Sequence, residues 1–76
     1  MKLVNECLNR LFDGKKPLKI KWQAFIEDNK LHFYHYQHNL LIFNLEQNKV
    51  EFTFYETRTD LRGLMAAIEY LKNKEK

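Results

Sequence analysis

One eleven-residue pattern occurs twice, nineteen residues apart, and it restricts what this chain can fold into. Ile26-Glu-Asp-Asn-Lys-Leu-His-Phe-Tyr-His-Tyr36 recurs as Leu45-Glu-Gln-Asn-Lys-Val-Glu-Phe-Thr-Phe-Tyr55. Each copy reads as the end of one strand, a polar turn holding Asn, and a strand with alternating apolar residues. Two such units in series predict four antiparallel strands.

The alternation extends upstream of the first copy. Leu18, Ile20, Trp22, Ala24 and Ile26 point one way, and Lys19, Lys21, Gln23 and Phe25 the other. This predicts a first strand over 18–26. Asp28-Asn29 suits a two-residue hairpin, because both residue types tolerate positive φ. The second strand then sends Leu31, Phe33 and His35 inward and His32, Tyr34 and Tyr36 outward. Residues that face each other in an antiparallel pair must share a face. A loop of Gln37-His38-Asn39 satisfies that rule. It places Leu41, Phe43 and Leu45 inside, with Leu40, Ile42 and Asn44 outside. Gln47-Asn48 repeats the turn, and the fourth strand sends Val50, Phe52 and Phe54 inward and Glu51, Thr53 and Tyr55 outward.

Helical spacing flanks these strands. Leu3, Val4, Cys7, Leu8, Leu11 and Phe12 form one stripe over 2–13, and Gly14 suits the left-handed position after a helix end. Leu61, Leu64, Met65, Ile68 and Leu71 form a second stripe, with Thr59 or Asp60 as the expected N-cap. The fold class is α+β, order αββββα, in one domain spanning 1–76. It is a two-layer sandwich: a four-stranded antiparallel meander with the N- and C-terminal helices packed on one face.

The other face is then open, and the register populates it in rows. Lys21, Tyr36, Leu40 and Tyr55 make one row. Gln23, Tyr34, Ile42 and Thr53 make the next, and Phe25, His32, Asn44 and Glu51 the third. A contiguous exposed apolar patch marks a contact surface, whereas scattered apolar side chains do not. Tyr34, Tyr36, Leu40, Ile42 and Tyr55 are its expected centre, with Phe25, Lys19 and Lys21 around it. Tyr-rich centres with aliphatic neighbours and polar rims fit a protein partner, or a second copy in a homodimer. The alternative partner is single-stranded nucleic acid, stacked on the same aromatic residues and held by the Lys15–Lys21 basic segment. A net charge of +3 is modest for that role.

Catalytic and cofactor signatures are weak. His32 and His35, three apart on a strand, face opposite ways and share no metal without a bulge, and His38 falls in the predicted turn. His35 is expected opposite Trp22. Cys7 falls on the buried helix stripe, as a small hydrophobe would. No cofactor, metal or enzymatic constellation is expected. Arg58 and Arg62 flank a helix start, a place that attracts anions, and are the candidate anion contact. Gly63 in the first turn leaves room for a close approach.

The lone Cys7 fits a reducing, cytoplasmic setting. No apolar run approaches the length needed to cross a bilayer, and polar residues interrupt the start too early for a secretory signal. Lys, Asn and Phe are frequent, while the chain holds 2 Gly and 1 Pro. This bias resembles accessory proteins of bacteriophages and mobile elements from AT-rich bacteria. The resemblance implies a small inhibitor or regulator that binds a host or defence factor.

Overall fold

A computed structural model describes residues 2–17 and 21–74. The elements are α1 (Lys2–Phe12), β1 (Trp22–Glu27), β2 (Lys30–His35), β3 (His38–Asn44), β4 (Lys49–Thr53) and α2 (Arg58–Lys74). The strands form one antiparallel sheet in the order β1-β2-β3-β4. The expected αββββα sandwich with an open sheet is therefore the fold. The expected strand residues Leu18, Lys19 and Ile20 lie outside the described residues.

Local chemistry explains each boundary. Gly14, with φ +70°, ends α1. The Lys15 N–H donates to Arg10 O at 2.9 Å and the Gly14 N–H to Leu11 O at 3.3 Å, which satisfies two of the end carbonyls. Asp28 and Asn29 take φ of 53° and 63°, the paired positive angles of a type I′ turn. This turn sets β1 against β2, with Trp22 opposite His35 and Glu27 opposite Lys30. Thr57 is the N-cap of α2, in place of the expected Thr59 or Asp60. The Asp60 N–H donates to Thr57 Oγ1 at 3.0 Å and the Thr57 N–H to Asp60 Oδ2 at 3.2 Å. Asp60 thus fills the third-residue role of a capping box.

Two bulges change the expected register. The β2–β3 hairpin turns on two residues, Tyr36-Gln37, and not on three. His35 faces His38 and Tyr34 faces Asn39; beyond an extra residue, Leu40, Phe33 faces Leu41. The parity conflict of a two-residue turn is thus absorbed by a bulge. A second shift on β4 makes Ile42 face Phe52 and Phe43 face Val50, leaving Glu51 extra. The turn before β4 spans 45–48 and is braced by the Gln47 N–H donating to Asn44 Oδ1 at 2.8 Å.

The core lies between the helices and the inner sheet face. Val4, Cys7 and Leu8 of α1 and Leu64, Ala67 and Leu71 of α2 meet Trp22, Leu31, Phe33, Leu40, Leu41 and Phe43. Trp22 sits against Gly63, where an added Cβ would collide with its ring. The close approach expected at Gly63 is therefore made by the chain's own indole. Tyr70 seals the helix pair, stacking on Phe12 at 6.2 Å and donating its hydroxyl to Asn9 Oδ1 at 2.6 Å.

Candidate functional site

The observed register builds one apolar row across all four strands of the open face. Phe25 faces His32, His32 faces Ile42 and Ile42 faces Phe52. The Phe25 ring stacks on His32 at 4.8 Å and on Tyr34 at 5.8 Å. Phe25 and Phe52 end the row at the two sheet edges, each 43% exposed. On one side runs the polar row Glu27–Lys30–Asn44–Lys49. There Lys30 Nζ reaches Glu51 Oε1 at 2.9 Å, and Asn44 Nδ2 donates to Glu51 Oε2 at 3.0 Å. On the other side lie Gln23, Tyr34 and Asn39.

Phe25, Tyr34 and Ile42 of the expected patch are on this face, and the rest of its membership changes. Leu40 is fully buried, because the bulge re-aims it into the core beside Leu41. Phe52 takes an outward place instead, because the β4 bulge inverts the expected facing of Phe52 and Thr53. Tyr34 and Ile42 are half-buried in the patch centre. Lys21 sits just before β1, with Nζ 5.7 Å from the centre of the Trp22 ring. Tyr55 lies beyond the end of β4 and is exposed. Lys19 is outside the described residues. Phe52 was the residue that sequence reasoning missed, and its alternating pattern pointed inward.

Tyr36 stands apart. It is 69% exposed and holds φ at 54°, at the first central position of its turn. That angle suits Gly and strains an aromatic residue by roughly 1–2 kcal/mol. Its N–H donates to Lys21 O at 2.8 Å, which pins the turn to the start of β1.

Beneath this turn is a buried polar clasp that the sequence did not reveal. Asp60 is fully buried. Its Oδ1 lies 2.5 Å from His35 Nδ1, and its Oδ2 lies 3.0 Å from His38 Nδ1. The Glu56 and Thr57 N–H groups also donate to Oδ2, at 3.1 and 3.2 Å. Burial alone would raise the Asp60 pKa, but hydrogen bonds from His35, the two backbone amides and His38 outweigh it. They hold the carboxyl well below its usual range. The clasp ties the first turn of α2 to the β2–β3 hairpin. The His35 ring is sandwiched, 4.2 Å from Trp22 and 4.8 Å from Tyr36. His38 Nε2 is 3.5 Å from Glu56 Oε2, and its ring meets Phe54 edge-on at 5.8 Å. His38 is a strand residue, not the turn residue expected.

Arg58 and Arg62 occupy the exposed first turns of α2. The amides of Glu56 and Thr57 at this helix start already serve the chain's own carboxylate, Asp60. Burial pushes the Cys7 thiol up to about 11, which leaves it a neutral packing group at neutral pH. Among the described residues, no group of three or more His, Cys, Asp or Glu converges as a metal cage requires. No helix among them is long and apolar enough to cross a membrane. A cleft of about 480 Å³ lies on the helical side and is lined by Asn5, Ala66, Glu69, Tyr70, Asn73 and Lys74. The chain matches no family model, no curated protein and no solved structure.

Proposed function

We propose that this chain is a non-catalytic interaction module that binds a protein partner through the open face of its sheet. The observation that carries the reading is the row Phe25–His32–Ile42–Phe52, apolar or aromatic on every strand, between two polar rows. Interfaces favour this layout, with aromatic anchors at the centre and a polar rim that excludes water. Tyr36 and Tyr55 are exposed where β2 and β4 end. The module acts by occupying its partner's surface, as an inhibitor or regulator in the cytoplasm. The compositional resemblance to phage and mobile-element accessory proteins favours a host or defence factor as that partner.

Single-stranded nucleic acid is the weaker partner class. Aliphatic Ile42 occupies the row's centre, and the rim carries Glu27 and Glu51 beside Lys30 and Lys49. A nucleic-acid face needs a dominant positive field.

The test compares wild type with Ile42→Asp and Tyr36→Ala as tagged baits, after nuclease treatment. Far-ultraviolet circular dichroism checks that each variant stays folded. Wild type should retain a stoichiometric protein that both variants lose. Equal capture by all three baits would remove the open face from the mechanism. Capture of nucleic acid alone, with affinity falling steeply as salt rises, would replace the protein partner with a nucleic acid.

A further inference from the structure

The two ends of the open face are complementary to each other. The apolar row reads Phe25, His32, Ile42, Phe52 from β1 to β4, and the polar row beside it reads Glu27, Lys30, Asn44, Lys49. Reversing the polar row places an acidic residue against a basic one at both ends. Among the described residues Glu27 forms no salt bridge within its own chain, whereas Lys30 is already paired with Glu51. A surface that matches its own reversed copy is what a two-fold interface requires.

We propose that the occupant of this face is a second copy of the chain, packed sheet to sheet with a two-fold axis running along the strands between β2 and β3. The inference rests on the reading of the open face as an interaction surface and names the occupant that face takes when no other protein is bound. The axis sets β1 over the partner's β4 and β2 over the partner's β3. Phe25 then meets the partner's Phe52, and His32 meets the partner's Ile42. Glu27 meets the partner's Lys49, and Lys30 meets the partner's Asn44; Glu51, held between Lys30 and Asn44, comes to the axis beside its own copy, where the two Lys30 ammonium groups offset the paired carboxylates. In the next row Tyr34 meets the partner's Asn39, a hydroxyl against an amide.

The competing axis, along the apolar row, stacks each Phe on itself. It also sets Glu27 and Lys49 against the row of Gln23, Tyr34 and Asn39, which carries no charge. The strand-parallel axis is preferred because it pairs these charges twice. Sheets packed this way lie ~10 Å apart with strands aligned to within roughly 30°. Four strands at ~4.8 Å spacing make a face about 19 Å wide. That places the interface at the small end of specific contacts.

Sedimentation equilibrium of the full chain across a wide concentration range tests the proposal. The mass should rise from 9.3 kDa towards twice that value as concentration increases. Phe52→Asp should abolish the rise while the far-ultraviolet spectrum stays unchanged. Glu27→Lys and Lys49→Glu should each weaken the dimer about ten-fold, because each sets like charges face to face twice. The double variant Glu27→Lys/Lys49→Glu should recover wild-type association. A wild type that stays monomeric throughout overturns the second copy but leaves the open-face reading to the capture experiment. A dimer unaffected by Phe52→Asp places self-association elsewhere and overturns the proposal. A dimer that Phe52→Asp abolishes but the double variant does not restore overturns the proposed axis.

Discussion

The two copies of the repeated pattern end in different surroundings. In the first, Leu31, Phe33 and His35 are 0%, 0% and 7% exposed; their counterparts Val50, Phe52 and Phe54 are 40%, 43% and 41% exposed. The local patterns are nearly the same. What differs is position in the sheet and, for Phe52, the bulge that turns it to the outer face. β2 has a strand on each side and helices above it. β4 is an edge strand, and the helix-to-sheet packing is concentrated on β1, β2 and β3. Alternation therefore specified which residues could be buried, and the neighbours decided which were. Apolar residues that stay exposed at an edge invite pairing or docking, which is why β4 contributes to the proposed interface.

The largest contrast should come from matched truncations. Phe33→Ala removes a fully buried ring that stacks on Trp22 at 5.8 Å and should cost about 3–5 kcal/mol in urea unfolding. Phe52→Ala, at the equivalent place in the other copy, should cost roughly 1 kcal/mol or less, since much of its ring is already in water. Equal losses would mean that β4 is covered in solution.

The clasp gives the next largest effect. Asp60→Ala strands the Nδ1–H groups of His35 and His38 and should cost about 2–3 kcal/mol. Its pH dependence has a definite sign. The folded Asp60 pKa is depressed, so its contribution is present above the unfolded value of ~3.9 and fades as pH falls below it. Wild-type urea midpoints should therefore drop through this acid range. In Asp60→Asn the drop should be smaller, and identical slopes would remove Asp60 from acid unfolding.

Glycine positions separate the packed side from the surface on a smaller scale. Gly63→Ala drives a methyl into the Trp22 ring and should lower stability by about 1–3 kcal/mol. Gly14→Ala meets open space but keeps a φ of +70°, so its cost should be roughly 1 kcal/mol, from backbone strain alone. A larger loss at Gly14 than at Gly63 would contradict the Trp22 packing.

The smallest effect has the opposite sign. Tyr36→Gly relieves a strained turn and should raise the urea midpoint by about 1 kcal/mol of stability, while weakening partner capture. A variant that gains stability and still binds would leave the strained tyrosine with no role at the interface.

Much of the architecture was legible because its causes are local. Periods of two and of 3.6 marked the strands and helices. Asp28-Asn29 and Gly14 announced their turns, and the β1–β2 register, with His35 opposite Trp22, followed from a two-residue loop. The open face was legible as a place, and Phe25, Tyr34 and Ile42 as members of it. Leu40 and Phe52 were not, because a bulge leaves no mark in an alternating pattern. Its signal was the parity conflict at the Tyr36-Gln37 turn, which a longer loop also resolves on paper.

The sequence by itself determined the order αββββα, the end of α1 at Gly14 and the Asp28-Asn29 turn, since each depends on residues within one or two turns of chain. Only the tertiary structure decided the rest. The His35–Asp60–His38 clasp joins groups 25 and 22 residues apart, and Gly63 is explained only by a tryptophan on another element. Leu40 went inward and Phe52 outward because hydrogen-bond pairing between strands fixed the register. Burial was then assigned by which strands the two short helices could reach.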